Sequence, residues 1–211
     1  AGLGQLHAYL GDLDEARQAL EHRSDLVSRV VNSSSTRFTY LSMVYFRSGM
    51  LAAARENFPR AVDEIGRIKV PTAHDMFSIS DTAEALLGLW ENDLDHAVVY
   101  QDAAPAVMLR VQMYAERYLS GEPLMRVFWG WYLWLQGDHD GAKTLWAGAL
   151  VLANERGTQY SAALAHYEIG RHLPVDDVER MTHLKQAVTM FASMGTRYHQ
   201  ALAEKALTAS Q

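Results

Sequence analysis

A six-residue block that returns four times constrains this chain more than any other feature. Gly11 Asp12 Leu13 Asp14 Glu15 Ala16 is echoed by Gly49 Met50 Leu51 Ala52 Ala53 Ala54, by Asn92 Asp93 Leu94 Asp95 His96 Ala97 and by Gly137 Asp138 His139 Asp140 Gly141 Ala142, with starts 38, 43 and 45 residues apart. A period of about 20–50 residues marks a supersecondary unit that cannot bury its apolar face alone and stacks on copies of itself. Each block ends on Ala16, Ala54, Ala97 or Ala142, and seven positions before its start stand Gly4, Ser42, Ala85 and Gly130. Small side chains on both sides of a short turn let two antiparallel helices approach closely. Nine positions past the start the spacing predicts a bulky plug, present as Leu20, Phe58 and Trp146 and replaced by Gln101 in the third copy. Twelve past it come Ala61, Ala104 and Ala149, against Arg23 in the first copy.

The block carries helix stop and start signals. Gly11, Gly49 and Asn92 suit the left-handed conformation that ends a helix, and Asp14, Asp95 and Asp140 then fall where a carboxylate accepts the free amide protons of the next one. The periodicity predicts helices near 1–10, 14–31, 36–48, 52–68, 75–91, 95–117, 123–136, 140–156, 159–172, 177–194 and 197–209, and no strand. Separators stand at Ser33 Ser34 Ser35, Pro71 Thr72, Gly121 Glu122 Pro123, Gly157 and Gly195. Pro105 is expected to kink or interrupt its helix, and Pro174 Val175 Asp176 Asp177 makes the fifth turn irregular.

This pattern of small and bulky positions resembles the tetratricopeptide repeat, in its longer-helix variants, over nearly the whole chain. The resemblance implies an all-α, right-handed superhelix of about five helix pairs plus a C-terminal capping helix, as one repeat domain over 1–211. A narrower likeness lies in Ala165 to Leu173, His183 to Phe191 and Met194 to Tyr198. These stretches are similar to the helical-repeat tails of bacterial multidomain regulators, nucleotide cyclases or transcription activators that also carry a nucleotide-hydrolysing switch module. That likeness implies a cytoplasmic sensor or docking arm whose catalytic domains lie elsewhere. The chain starts without Met and with helical periodicity already under way, so it reads as a piece of a longer one. An uncovered first repeat would then favour homo-oligomers, while Thr196 to Ser210 suits a natural capping end.

In such a stack the first helix of each pair lines a concave face. The positions six, three and two before each block are Gln5, Ala8 and Tyr9, then Met43, Phe46 and Arg47, then Leu86, Leu89 and Trp90, then Trp131, Trp134 and Leu135. Ten before it come Thr39, Thr82 and Val127. The candidate ligand-binding residues are therefore Met43, Phe46, Arg47, Leu86, Trp90, Val127, Trp131 and Trp134. A groove that clamps a peptide carboxylate needs several Lys, Arg or Asn here, and only Arg47 offers a charge. A hydrophobic helix, from a partner protein or from the parent chain itself, or a flat small molecule fits better. Two readings stay open: some rings among Trp129, Trp131, Tyr132 and Trp134 belong to the core, and Arg47, an arginine amid apolar groove positions, either needs a partner there or is a solvated rim residue.

Composition removes other classes of function. With 25 acidic against 19 basic residues the net charge is −6, the wrong sign for a phosphate-held nucleic-acid binder. There is no cysteine, hence no disulfide, thiolate metal site or thiol nucleophile. The longest near-apolar run, Val127 to Leu135, is far short of the roughly 20 residues that span a bilayer. His166, Glu168 and His172 do not form the zinc pattern His-Glu-x-x-His and read as hydrogen-bonded helix residues, and Asp138 His139 Asp140 is the repeat's own helix-start signal. His7 breaks a phosphate-loop reading of Gly2 Leu3 Gly4, and no nucleophile elbow or Walker lysine occurs. No catalytic residue, metal or cofactor is expected.

Overall fold

The glycine turns form as the repeat requires. Gly11, Gly49 and Gly137 take φ of 87°, 72° and 88°. In each case the amide after the glycine donates to a carbonyl of the preceding helix, Asp12 to His7, Met50 to Tyr45 and Asp138 to Leu133, at 2.8–2.9 Å. This bond closes the helix on a left-handed residue that only glycine enters without steric cost. Gly157 and Gly195 end two further helices in the same way.

The computed structural model describes residues 7, 11–21 and 37–209. They contain ten α-helices and no strand: α1 (Leu13–Glu21), α2 (Arg37–Arg47), α3 (Leu51–Gly66), α4 (Asp75–Asn92), α5 (Ala97–Arg117), α6 (Glu122–Leu135), α7 (His139–Arg156), α8 (Gln159–His172), α9 (Val178–Met194) and α10 (Arg197–Thr208). The expected helix over 1–10, Gly4, Gln5, Ala8, Tyr9, Arg23 and the Ser33 to Ser35 separator lie outside the described residues. The chain divides into two compact units, Ala1–Tyr118 and Leu119–Gln211. The division falls at the Gly121 Glu122 Pro123 separator, after Tyr118 leaves α5 in an extended conformation.

In the first unit α2 pairs with α3 and α4 with α5, while α2 and α3 both pack on α4. Ala16, Ala54 and Ala61 are fully buried, and the plugs Leu20 and Phe58 are 3% and 1% exposed. Phe46 of α2 lies against Gly88 of α4, where any Cβ would overlap its ring. In the second unit α6 pairs with α7, α8 with α9, and α10 closes on α9. Trp146, fully buried, occupies the notch left by Gly130, and its indole N–H donates to the Val127 carbonyl at 3.1 Å. Leu184 fills the equivalent notch at Gly170.

Three local expectations change. Asn92 does not turn left-handed: it ends α4 by donating its side-chain amide to the Gly88 carbonyl at 2.7 Å, and the chain continues through a 3-10 turn at Leu94–His96. Asp93 holds this turn, accepting from Arg55 of α3 at 2.9 Å and from the Tyr100 hydroxyl at 2.7 Å. The cap of α7 is Asp138, which accepts from the Gly141 amide, rather than Asp140. Pro105 does not interrupt α5, because it stands on the exposed side, where the carbonyl it frees can be hydrated. At the irregular fifth turn Arg180, 7% exposed, donates to the carbonyls of Gly170, Arg171 and Leu173 and so closes α8 without a glycine.

Candidate functional site

The first-helix positions of the first unit are mostly interior. Met43 and Leu86 are fully buried and Trp90 is 7% exposed, while Phe46 is half-buried on Gly88. Arg47 is buried too, and its guanidinium meets the Glu84 carboxylate side-on at 2.8 and 2.7 Å. A fork-on-fork pair between α2 and α4 satisfies both charges where water cannot. Arg47 is therefore not a solvated rim residue; its partner is Glu84 of the same unit. Arg47 and Phe46 thus join α2 to α4, and Met43, Leu86 and Trp90 are interior, so of these five only the Phe46 ring stays partly open.

A second carboxylate works below the same helix. Glu64 of α3 accepts the Phe38 and Thr39 amides at 3.1 and 3.2 Å, satisfying two free donors at the start of α2. Burial raises its pKa to about 7, against the lowering effect of those two amides. Asn57 donates to the Phe38 carbonyl and the Ser42 hydroxyl, so the small Ser42 is also a bonding partner.

In the second unit Val127 is buried and its carbonyl is taken by Trp146. Trp134 is half-buried with imidazoles on it: the His139 ring lies 4.0 Å and the His172 ring 4.1 Å from its centroid. His172 also stacks on Trp146 at 4.9 Å and donates its Nδ1–H to the Glu168 carbonyl at 2.9 Å. Burial, with the Arg171 charge nearby, pushes its pKa down to about 3, so His172 is neutral at pH 7. Trp131 is half-buried under the Arg171 guanidinium, 5.0 Å from its centroid, and the same guanidinium lies 5.5 Å from Tyr167. Buried Glu168 anchors Arg171 at 2.9 Å. The Trp131 indole N–H is buried without a hydrogen-bond partner.

The eight candidate positions thus separate. Met43, Leu86, Trp90 and Val127 serve packing, Arg47 a buried ion pair, and Phe46, Trp131 and Trp134 keep partly exposed rings. Sequence reasoning missed Glu84, Tyr167 and Arg171. Glu84 carries a visible signal, a lone acid within the apolar stretch Ala83 to Trp90, but its partner depends on the register of two helices 37 positions apart. It also passed over a stripe on α6: Met125, Trp129 and Tyr132, spaced four and three residues apart, are all partly exposed and stand outside the unit's core cluster. Trp129 and Tyr132 meet edge to face at 5.4 Å. Among the described residues no three His, Asp or Glu side chains are grouped to hold a metal, and no helix is long and apolar enough to cross a membrane. Comparison with known proteins finds no matching family model, no matching curated protein and no matching solved structure.

Proposed function

We propose that this chain is a non-catalytic, tetratricopeptide-like repeat module, its helix pairs stacked in a right-handed superhelix, that binds a protein or peptide segment. That segment belongs to a partner protein or to the parent chain, in keeping with a docking arm of a cytoplasmic bacterial regulator. One observation carries the reading: α6 is apolar nearly all round, yet only Pro123, Val127, Phe128 and Gly130 of it are buried. Soluble proteins seldom leave a contiguous apolar surface without a use for it. The Met125, Trp129 and Tyr132 stripe has the spacing at which one helix receives another, and partly exposed Trp and Tyr are the residue types that anchor such contacts.

Titration of the chain with a panel of amphipathic helical peptides, followed by tryptophan fluorescence, tests this. Trp129→Ala should weaken any binding by about 2 kcal/mol or more, roughly 30-fold, as expected of an anchor. Affinity unchanged in both Trp129→Ala and Trp131→Ala rejects the α6 face.

A second reading, a small-molecule effector sensor, is favoured by a cleft of about 470 Å³ in the first unit, lined by Val62, Asp63, Ile65, Arg67, Leu109 and Arg110. That volume lies within the range of small-ligand sites. A compound that raises the melting temperature progressively with its concentration, and loses that effect in Arg67→Ala, would favour this reading over peptide binding.

A further inference from the structure

Outside both faces, two imidazoles converge across the fifth helix pair. His166 of α8 and His183 of α9 bring their Nδ1 atoms to 2.9 Å, with ring centroids 5.0 Å apart and planes inclined by 46°. Both side chains are half-buried, so the edge of the pair is reached by water. We propose that His166 and His183 form a two-nitrogen chelate for one divalent transition-metal ion of tetragonal preference, Cu(II) foremost.

The separation selects the metal class. With metal–nitrogen bonds of about 2.05 Å, nitrogens 2.9 Å apart subtend about 90° at the ion, the cis angle of square-planar or octahedral coordination. A tetrahedral angle would need them about 3.3 Å apart, so Zn(II) fits less well. Imidazole is a ligand of choice for Cu(II) and Ni(II), and the Irving–Williams order places Cu(II) highest. The site adds little proton cost. In the metal-free pair one Nδ1–H donates to the other Nδ1; on binding, that proton passes through solvent to Nε2 of the same ring, so the pair releases none overall. The charges of Glu179 and Asp177 act on His183 and favour a cation. Water completes the coordination, since no third ligand is grouped with the two.

The test is Cu(II) titration of the full chain by calorimetry and electron paramagnetic resonance. It compares the native protein with His166→Ala, His183→Ala and the more conservative His166→Gln and His183→Gln, each checked for native helix content. His139→Ala is the control for a histidine outside the pair. The native chain and His139→Ala should bind one ion whose spectrum carries coupling to two imidazole nitrogens. Its melting temperature should rise until one equivalent is reached. Losing either ligand should weaken binding by at least the roughly tenfold that even an outer-sphere partner is worth, and should remove the two-nitrogen pattern. Equal affinity and an unchanged spectrum in the folded His166 and His183 variants, or no binding by the native chain, would overturn the site.

Discussion

The two units use the same device of small against large side chains at their helix crossings, but they bury different polar groups. The first encloses an ion pair, Arg47 with Glu84 between α2 and α4, and a carboxyl, Glu64, that burial holds protonated up to about pH 7. The second adds neutral rings to its ion pair: His172 lies against Trp134 and Trp146, beside buried Glu168 and its partner Arg171. A helix-pair repeat therefore specifies where elements cross while leaving open how each core handles its hydrogen-bonding groups. The contrast also gives the units different failure modes, which mutation and pH can separate. Four of the five tryptophans, Trp129, Trp131, Trp134 and Trp146, lie in the second unit, so fluorescence reports mainly on it while far-ultraviolet circular dichroism reports on both.

The largest effect should come from Glu84→Ala. It removes the carboxylate that meets the buried Arg47 guanidinium side-on and should destabilise the first unit by about 3–5 kcal/mol in urea titration followed by circular dichroism. The paired change Arg47→Met with Glu84→Leu should recover most of that loss; if it does not, the pair's value lies in more than mutual charge compensation.

Next in size, the units should answer pH with opposite signs. Glu64 keeps a proton in the folded unit up to about pH 7, whereas its ordinary pKa is 4.5. The folded first unit thus binds more protons than the unfolded chain between those values, and its stability falls as pH rises through them. Glu64→Gln, which retains an acceptor oxygen for the two amides, should remove this slope, a difference of up to about 3 kcal/mol at pH 8. His172, held at about 3 against an ordinary 6.5, does the reverse. The unfolded chain takes up a proton that the folded second unit refuses, so stability falls as pH drops below 6.5. His172→Phe should shrink that acid limb in fluorescence-detected melting, the remainder coming from His166, which burial lowers to about 4, and slopes of the same sign for both units would break the contrast.

Smaller is the effect of filling a notch. Gly130→Ala forces a Cβ into the Trp146 indole and should cost the second unit about 1–3 kcal/mol by overpacking, seen as an earlier fluorescence transition. The smallest is Asp138→Ala, which removes the bond to the Gly141 amide and should cost about 1 kcal/mol.

How far the primary structure foretells this molecule varies from residue to residue. The helices and the glycine turns are legible because each depends on a few neighbouring residues: Gly49 and Gly137 stop a helix whatever packs around it. Asn92 is not, since an asparagine closes a helix either through its backbone or, as here, by bonding the Gly88 carbonyl with its side chain. The concave positions are legible as a set, but which of them carry exposed rings is not. Met43 and Leu86 are fully buried, whereas Trp131 and Trp134 are half-buried, with Arg171 over the first and His139 and His172 against the second, residues far along the chain or on another helix. Pairings over long separations, Arg47 with Glu84 and His166 with His183, depend on the relative slide of two helices, which no local periodicity encodes.

Arg180 closes α8 from a distance, through a side chain that reaches back to three carbonyls. Because that closure needs no glycine turn, the stretch from 174 to 176 is free to change between Leu173, whose carbonyl Arg180 takes, and Asp177, whose carboxylate caps α9. It is the natural place for an evolving lineage, or an engineer, to graft a new loop onto this architecture while both flanking helices keep their ends.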